Sequence, residues 1–174
     1  MKRLCLMRHA KSDWSDPASD DFNRPLNARG LVAADFMAGY IAKSPYRPDA
    51  VLCSTATRAR ETFMPLEKIL GKSVPVQYRD ELYHAMPDVM LDEIHRAPAS
   101  AQTLLVVAHN PGLVLLAMSL AEDPDEGIAV RVANGVPTGG FIVFEFDVAS
   151  WTNIAEGCGR TVFFGRPRDL MAKT

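Results

Sequence analysis

Three apolar stretches of this sequence each end in a residue that can handle phosphate. The run RLCLM leads into Arg8 and His9, the run AVLC leads into STATR with Arg58, and the run TLLVVA leads into His109. In an open parallel α/β sheet the carboxyl ends of the strands meet at one edge, where ligands bind, so residues about a hundred positions apart can converge there. Two arginines and two histidines at one edge favour phosphoryl transfer through a histidine nucleophile.

Each of these residues has a role that its chemistry supports. A neutral imidazole attacks phosphorus when its far nitrogen is held by a hydrogen bond, so His9, at a strand end, is the predicted nucleophile. A phosphoryl group in transfer spreads negative charge over three oxygens, which the planar guanidinium groups of Arg8 and Arg58 can bind with paired donors. His109 adds another donor. A helix beginning at Asn110-Pro111 can direct backbone N–H groups at the same anion, which places Asn110 among the substrate-binding candidates.

The individual features are common in proteins without such a function. An Arg-His dipeptide, a histidine after a strand and an arginine on a helix most often belong to packing or to a solvated surface. The joint pattern favours function, because three strand ends occur in order and each falls where α/β enzymes place their sites.

Strand-like and helical patterns alternate along the chain. This order builds a mostly parallel central sheet with helices on both faces, and we expect an α/β three-layer sandwich in which residues 1–174 form a single domain. After the first strand the predicted elements are a helix over residues 27–43 with Asn27 as N-cap, helices after Arg58, from Pro87 and from Asn110-Pro111, and strands over 141–146 and 161–164.

Apolar spacing predicts which helix faces are buried, and Pro65 requires the second helix to start late or to kink. The predicted inward residues are Leu31, Ala34, Ala38 and Ile41 in the first helix, Phe63, Leu66 and Ile69 in the second, Met90 and Ile94 in the third, and Leu113, Leu116 and Leu120 in the fourth.

Net charge, cysteine spacing and the length of the apolar runs argue against several classes of protein. The chain has 174 residues and a formal net charge of −2 with scattered arginines, which argues against nucleic-acid and anionic-membrane partners. The odd number of cysteines, Cys5, Cys53 and Cys158, includes no Cys-x-x-Cys pair, so reduced thiols are expected rather than disulfides or zinc ligands. Apolar runs are too short for a signal-peptide core or a membrane span, and we expect a cytoplasmic protein.

The motifs LMRHAKSDW, CSTATRARET and VVAHNPG resemble the three signatures of the histidine phosphatase superfamily. The segment DFNRPLNARG, the PTGG before the final strands and the short length resemble its small SixA-type phosphohistidine phosphatase branch. The resemblance covers nearly the whole chain and implies a phosphoglycerate mutase-like fold. It also implies that His9 is phosphorylated transiently, that Arg8, Arg58 and His109 bind the phosphoryl group, and that water hydrolyses the phosphoenzyme without a metal or other cofactor.

One departure from the family pattern concerns the leaving group. Sugar-phosphate members usually place an acidic proton donor two residues after the leucine that corresponds to Leu82, where this chain has His84. An alcohol, with acidity like that of water (pKa about 15.7), leaves badly without a proton, whereas the imidazole of phosphohistidine (pKa about 6.5) can be protonated from solvent. The missing carboxylate therefore favours a phosphohistidine substrate, while His84 and Glu81 stay candidate proton donors.

The loop after His9 carries charged and aromatic side chains. Lys11, Arg24 and Arg29 can widen a positive rim that attracts an acidic protein partner, or can simply be solvated. Asp21 and Arg24 can instead fix the loop over the pocket by an ion pair. Trp14 is expected to pack under this loop rather than to stack at the pocket mouth.

The sequence thus predicts a metal-independent phosphatase that forms phosphohistidine at His9 and dephosphorylates histidine in a protein. One alternative is a small-molecule phosphomonoesterase of the same mechanism, which is favoured if His84 or Glu81 proves essential with alkyl phosphates. The other is a non-catalytic phospholigand-binding module, against which the retention of both histidines and both arginines speaks. The expected partner is a phosphorylated protein or a small phosphorylated metabolite, without nucleic acid or membrane.

Overall fold

The computed structural model describes residues 1–123 and 127–173. Within them the strands form one six-stranded sheet, in the spatial order β3-β2-β4-β1-β5-β6. The strands are β1 (Lys2–Arg8), β2 (Ala50–Ser54), β3 (Val76–Arg79), β4 (Thr103–Ala108), β5 (Phe141–Phe146) and β6 (Arg160–Gly165). The first four are parallel to one another, and β5 and β6 add an antiparallel pair beside β1.

The helices follow the strands in the alternating order that the sequence predicts. They are α1 (Ala28–Lys43), α2 (Thr57–Leu70), α3 (Pro87–His95), α4 (Gly112–Leu120), α5 (Gly127–Ala133) and α6 (Pro167–Met171), with 3-10 turns at Asp80–Leu82 and Trp151–Asn153. None of the helices in the described part of the chain is long and apolar enough to cross a membrane.

Both faces of the sheet are buried, because side chains alternate along each strand and meet helices on either side. On β1, Leu4 and Leu6 join one core with residues of α3 and α4. Cys5 and Met7 join the other core with residues of α1 and α2. The predicted α/β sandwich with a mostly parallel central sheet is confirmed.

The register of the parallel strands brings three strand ends to one level. Arg8 pairs with Ala108 across β1 and β4, and Cys53 pairs with Val107 across β2 and β4. The residues that follow in the chain, including His9 and His109, therefore lie side by side at the carboxyl edge of the sheet.

Most predicted element starts are confirmed. Asn27 caps α1 by accepting a hydrogen bond from the backbone of Gly30 at 2.9 Å, and α3 begins at Pro87. The fourth helix begins one residue later than expected, because Pro111 is its N-cap and Gly112 its first residue.

Two inward residues and one helix start were predicted wrongly. Leu31 is 47% exposed and Ile69 is 48% exposed, since each lies at the margin of an apolar stripe whose other members fill the core. The helix α2 starts at Thr57 and continues past Pro65, so of the two alternatives for Pro65 the late start is wrong and the kink stays a prediction. The edge strand β3 was not predicted, because it is short and only partly buried.

Candidate active site

His9 is held rigidly at the end of β1. Its backbone N–H donates to the carbonyl of Ala108 at 3.1 Å, and the residue is 7% exposed. The ring atom Nδ1 lies 2.8 Å from the carbonyl oxygen of Ala10, so Nδ1 carries the proton in the neutral ring and Nε2 keeps its lone pair. Burial lowers the pKa of His9 to about 4; the Ala10 hydrogen bond opposes this shift, and the charges of Arg58 and Arg8 add to it. The ring is therefore neutral at pH 7, with an unprotonated Nε2.

Arg58 lies at the start of α2 and faces that nitrogen. Its Nε donates to His9 Nε2 at 3.3 Å, and the residue is 4% exposed. Asp21 holds the same guanidinium through two hydrogen bonds. Nη2 donates to Asp21 Oδ2 at 3.0 Å, and Nη1 donates to the Asp21 carbonyl. Although burial opposes the shift, hydrogen bonds from Tyr83 and Arg58 lower the pKa of Asp21.

A buried threonine links the loop after His9 to α2. The hydroxyl of Thr62 accepts the backbone N–H of Ala10 at 2.8 Å and donates to the carbonyl of Arg58 at 2.6 Å. Because one hydroxyl bonds the backbone on both sides, it fixes the spacing between the segments that carry His9 and Arg58.

Arg8 is the last residue of β1 and approaches the same space. Its Nη1 donates to the carbonyl of Val136 at 2.9 Å, whereas its Nε is buried without a partner in the described chain. Burial, followed by the nearby charge of Arg58, lowers the pKa of Arg8. Two desolvated guanidinium groups in one site favour an anion between them.

His109 follows β4 and is 2% exposed. Its ring centroid lies 5.1 Å from that of His9, and its Nε2 lies 2.8 Å from Ser54 Oγ. The other nitrogen, Nδ1, is buried without a partner among the described residues. Burial lowers the pKa of His109 to about 3, and the neighbouring groups of His9 and Arg58 contribute. This ring is neutral as well.

Asn110 is linked to the site through the carbonyl of Val136, which also accepts a hydrogen bond from Arg8. Its Nδ2 donates to the carbonyl of Val136 at 3.0 Å, while its Oδ1 is buried without a partner in the described residues. The side chain thereby braces the carbonyl that orients Arg8.

His84 lies at the rim of this cluster, in a strained backbone conformation. Its φ of 50° is in the left-handed region, which histidine adopts only at a cost. The side chain is 57% exposed and places Nε2 3.3 Å from Asp21 Oδ2. The ring stacks on Tyr83 at 4.1 Å and meets His109 edge-on at 5.9 Å.

Glu81 is not joined to these residues. It is exposed in the turn Asp80–Leu82, and its side chain makes no hydrogen bond or ion pair that the described chain shows. The structure thus brings together six of the seven predicted residues, namely Arg8, His9, Arg58, His84, His109 and Asn110.

Several residues of the site were missed or assigned a lesser place. Asp21 was expected only as a support in the loop, yet it contacts Arg58 and His84 and accepts the Tyr83 hydroxyl at 2.7 Å. Ser54 was seen only as part of a strand-end motif. The packing expected of Trp14 is wrong, because Trp14 is 69% exposed.

The arrangement fits a phosphoryl group. Two buried side-chain nitrogens, Arg8 Nε and His109 Nδ1, lack partners in the described chain, and Nε2 of the neutral His9 lies beside Arg58. No cluster of three or more histidine, cysteine, aspartate or glutamate side chains suited to a metal ion occurs in residues 1–123 and 127–173.

Comparison with known proteins agrees with this geometry. The model of the histidine phosphatase superfamily (branch 1) matches residues 4–85. The structure of a candidate phosphohistidine phosphatase SixA from Nakamurella multipartitia is 31% identical, with a TM-score of 0.82 over 95% of this chain and 96% of that one. The chain belongs to the histidine phosphatase superfamily. Further likenesses place this phosphatase in the SixA-type branch.

One such likeness is the structure of a candidate phosphohistidine phosphatase SixA from Agrobacterium tumefaciens. It is 30% identical and has a TM-score of 0.79 over 95% of this chain and 98% of that one. An uncharacterized protein of Mycobacterium tuberculosis is 38% identical over 164 residues, which are 93% of this phosphatase and 100% of the relative.

Proposed function

We propose that this histidine phosphatase hydrolyses phosphohistidine in proteins, without a metal, through a phosphohistidine intermediate at His9. The observation that carries the proposal is the state of His9: a neutral ring with Nδ1 tied to Ala10 and Nε2 facing the Arg58 guanidinium. A rigid lone pair beside paired cationic donors is what attack on phosphorus requires.

In the first step the Nε2 lone pair of His9 forms a bond to phosphorus while the P–N bond of the substrate breaks. The electron pair of that bond stays on the leaving imidazole, which takes up a proton. Arg8, Arg58 and His109 donate hydrogen bonds to the three oxygens of the phosphoryl group, where the charge of the transition state is spread.

In the second step a water oxygen attacks phosphorus from the side that the imidazole has left. The electron pair of the P–N bond returns to His9 Nε2, and the water gives up a proton as inorganic phosphate forms. The same three donors serve both steps because the phosphoryl group keeps its place.

His84 is the proposed source of the proton for the leaving group. The pKa values of His9 and His109 lie at about 4 and 3, so neither ring carries a spare proton near neutral pH. His84 is exposed to solvent, and Asp21 holds its Nε2. It would give a proton to the leaving nitrogen in the first step and regain one from water in the second.

The loop between β1 and α1 supports a protein substrate. Arg24 is 5% exposed and binds the carbonyls of Asp13 and Ser19. Its guanidinium lies 3.9 Å from the centre of the Trp14 ring, which is exposed to solvent. Since a histidine side chain is short, the backbone of a protein substrate must come close to the pocket. An exposed aromatic side chain on the loop whose Asp21 binds Arg58 is a usual kind of anchor for it.

The proposal is tested by phosphate release at neutral pH from a phosphohistidine peptide, free phosphohistidine and glycerol phosphate, each with and without EDTA. We expect preference for the peptide, no effect of EDTA, and complete loss of turnover in His9→Ala. The matched control is His95→Gln, which alters a histidine bound to the carbonyl of Ile154 and should turn over normally.

Other outcomes point to the alternatives. Equal or faster turnover of glycerol phosphate supports a small-molecule phosphomonoesterase, and no turnover of any substrate supports a binding module. His84→Asn keeps a residue type that tolerates the left-handed backbone. It should lower kcat/KM for glycerol phosphate by about 100-fold or more and for the peptide by less, because solvent can protonate imidazole.

A further inference from the structure

Ser54 is a buried hydroxyl that the catalytic steps above leave without a role. It ends β2, is 0% exposed, and places Oγ 2.8 Å from Nε2 of His109. The backbone N–H of Ala56 points at the same oxygen from 3.4 Å. These are the hydrogen-bond contacts of the hydroxyl within residues 1–123 and 127–173.

A neutral imidazole carries one N–H, so the contact between Ser54 and His109 has two possible directions. If His109 Nε2 donated, the Ser54 oxygen would accept from both Nε2 and Ala56. The serine hydrogen would then have no acceptor in the described chain, and His109 Nδ1 would be a buried acceptor without a donor. Because His109 Nδ1 lacks a partner in the described chain in either direction, the unpaired serine hydrogen is what distinguishes the two.

The opposite direction satisfies the serine completely. Its O–H donates to His109 Nε2, and its oxygen accepts the N–H of Ala56. The proton of His109 then resides on Nδ1, the nitrogen that has no partner among the described residues. The low pKa of His109 agrees with a ring that holds a single proton.

We infer that Ser54 is a positioning residue that fixes the Nδ1–H tautomer of His109, so that Nδ1 donates to the phosphoryl group. The inference rests on the proposed function, because it assigns the partner of that N–H to a phosphoryl oxygen. Without Ser54 the ring can hold its proton on Nε2, and an Nδ1 lone pair would then face the negative oxygens.

The expected effect is a loss of transition-state binding. Removing one donor from a site of this kind typically lowers kcat by about 100- to 1000-fold. Because His109 without the serine still visits both tautomers, Ser54→Ala should lower kcat/KM for the phosphohistidine peptide by about 10- to 100-fold. Inhibition by inorganic phosphate should weaken in parallel.

The experiment combines a double-mutant cycle with a direct measurement of the tautomer. Ser54→Ala, His109→Ala and the double variant are assayed for kcat/KM on the peptide and for inhibition by inorganic phosphate, and thermal unfolding verifies that each is folded. If Ser54 acts through His109, the double variant is no worse than His109→Ala. Nitrogen-15 NMR at pH 7 should find the wild-type proton on Nδ1, moving toward Nε2 in Ser54→Ala.

Two results would overturn the inference. One is the finding that His109 of the wild type holds its proton on Nε2. The other is a double variant whose loss in kcat/KM equals the product of the two single losses. Wild-type turnover of the peptide and its loss in His9→Ala are measured in the same assay, so failure of the tautomer assignment is distinguishable from failure of the proposed function.

Discussion

At the scale of single residues, burial divides chemically identical side chains into different states. The chain has four histidines, and three of them meet at the edge of the sheet. His9 and His109 are buried and neutral, whereas His84 is exposed beside a carboxylate. Sequence motifs identify the first two, but the partners of each ring nitrogen depend on contacts between distant segments, which is why Ser54 and Asp21 could not be assigned from the sequence.

The buried state of His9 predicts a pH dependence of stability. Its pKa falls from an ordinary value of 6.5 to about 4 in the folded protein, so the unfolded chain binds more protons between these values. Stability must therefore fall as the pH drops through this window, by about 2 kcal/mol at pH 5 from this one residue. Urea unfolding measures the drop in the free energy of unfolding between pH 7.5 and pH 5. This drop should be about 2 kcal/mol smaller in His9→Gln than in the wild type. An equal drop in both proteins would contradict the neutral assignment.

At the scale of elements, the fold was predictable where apolar periodicity is strong. The buried strands β1, β2 and β4 and the capped start of α1 at Asn27 follow from local patterns. The edge strand β3 and the exposed positions Leu31 and Ile69 do not, because they depend on how far each helix and sheet edge is covered by the rest of the molecule. The segment of Tyr83 and His84 is also placed by a distant element, the start of α4.

Gly112 makes that placement possible. A Cβ at this position would lie 1.9 Å from the carbonyl oxygen of Ala85, so Gly112→Ala must push α4 away from the segment that carries His84. We expect Gly112→Ala to lose about 1–3 kcal/mol in the free energy of unfolding. We also expect its kcat/KM to fall below that of a folded control variant. Gly39→Ala is the control, since its Cβ meets nothing within 4 Å in α1 and should stabilise by about 0.5–1 kcal/mol. Equal stability of the two variants, measured by urea unfolding, would refute the contact.

At the scale of the whole molecule, the two ends of the strands have different roles. The carboxyl edge of the sheet carries the candidate active site, and the opposite edge carries contacts that hold the fold. The strand β1 carries Arg8 at its carboxyl end and Lys2 at the other, seven residues in all and about 20 Å apart. Lys2 is 2% exposed, its Nζ donates to the carbonyls of Ala99 and Ala101 at 2.8 and 2.6 Å, and Trp151 donates to Ala101 as well. This buried cation joins loops at the edge opposite the active site.

Lys2→Ala should therefore weaken the fold without affecting the reaction. The buried carbonyl of Ala101 and the partly buried carbonyl of Ala99 lose a charged donor, which predicts a loss of about 2–4 kcal/mol in the free energy of unfolding. Lys72→Ala removes an exposed lysine and should stay within about 0.5 kcal/mol of wild type. At a temperature where Lys2→Ala is folded, its kcat/KM should match that of wild type, because the register of β1 with β4 and β5 holds His9 independently of the far edge. A fall in kcat/KM of the folded variant would show instead that the two ends of the strand are coupled.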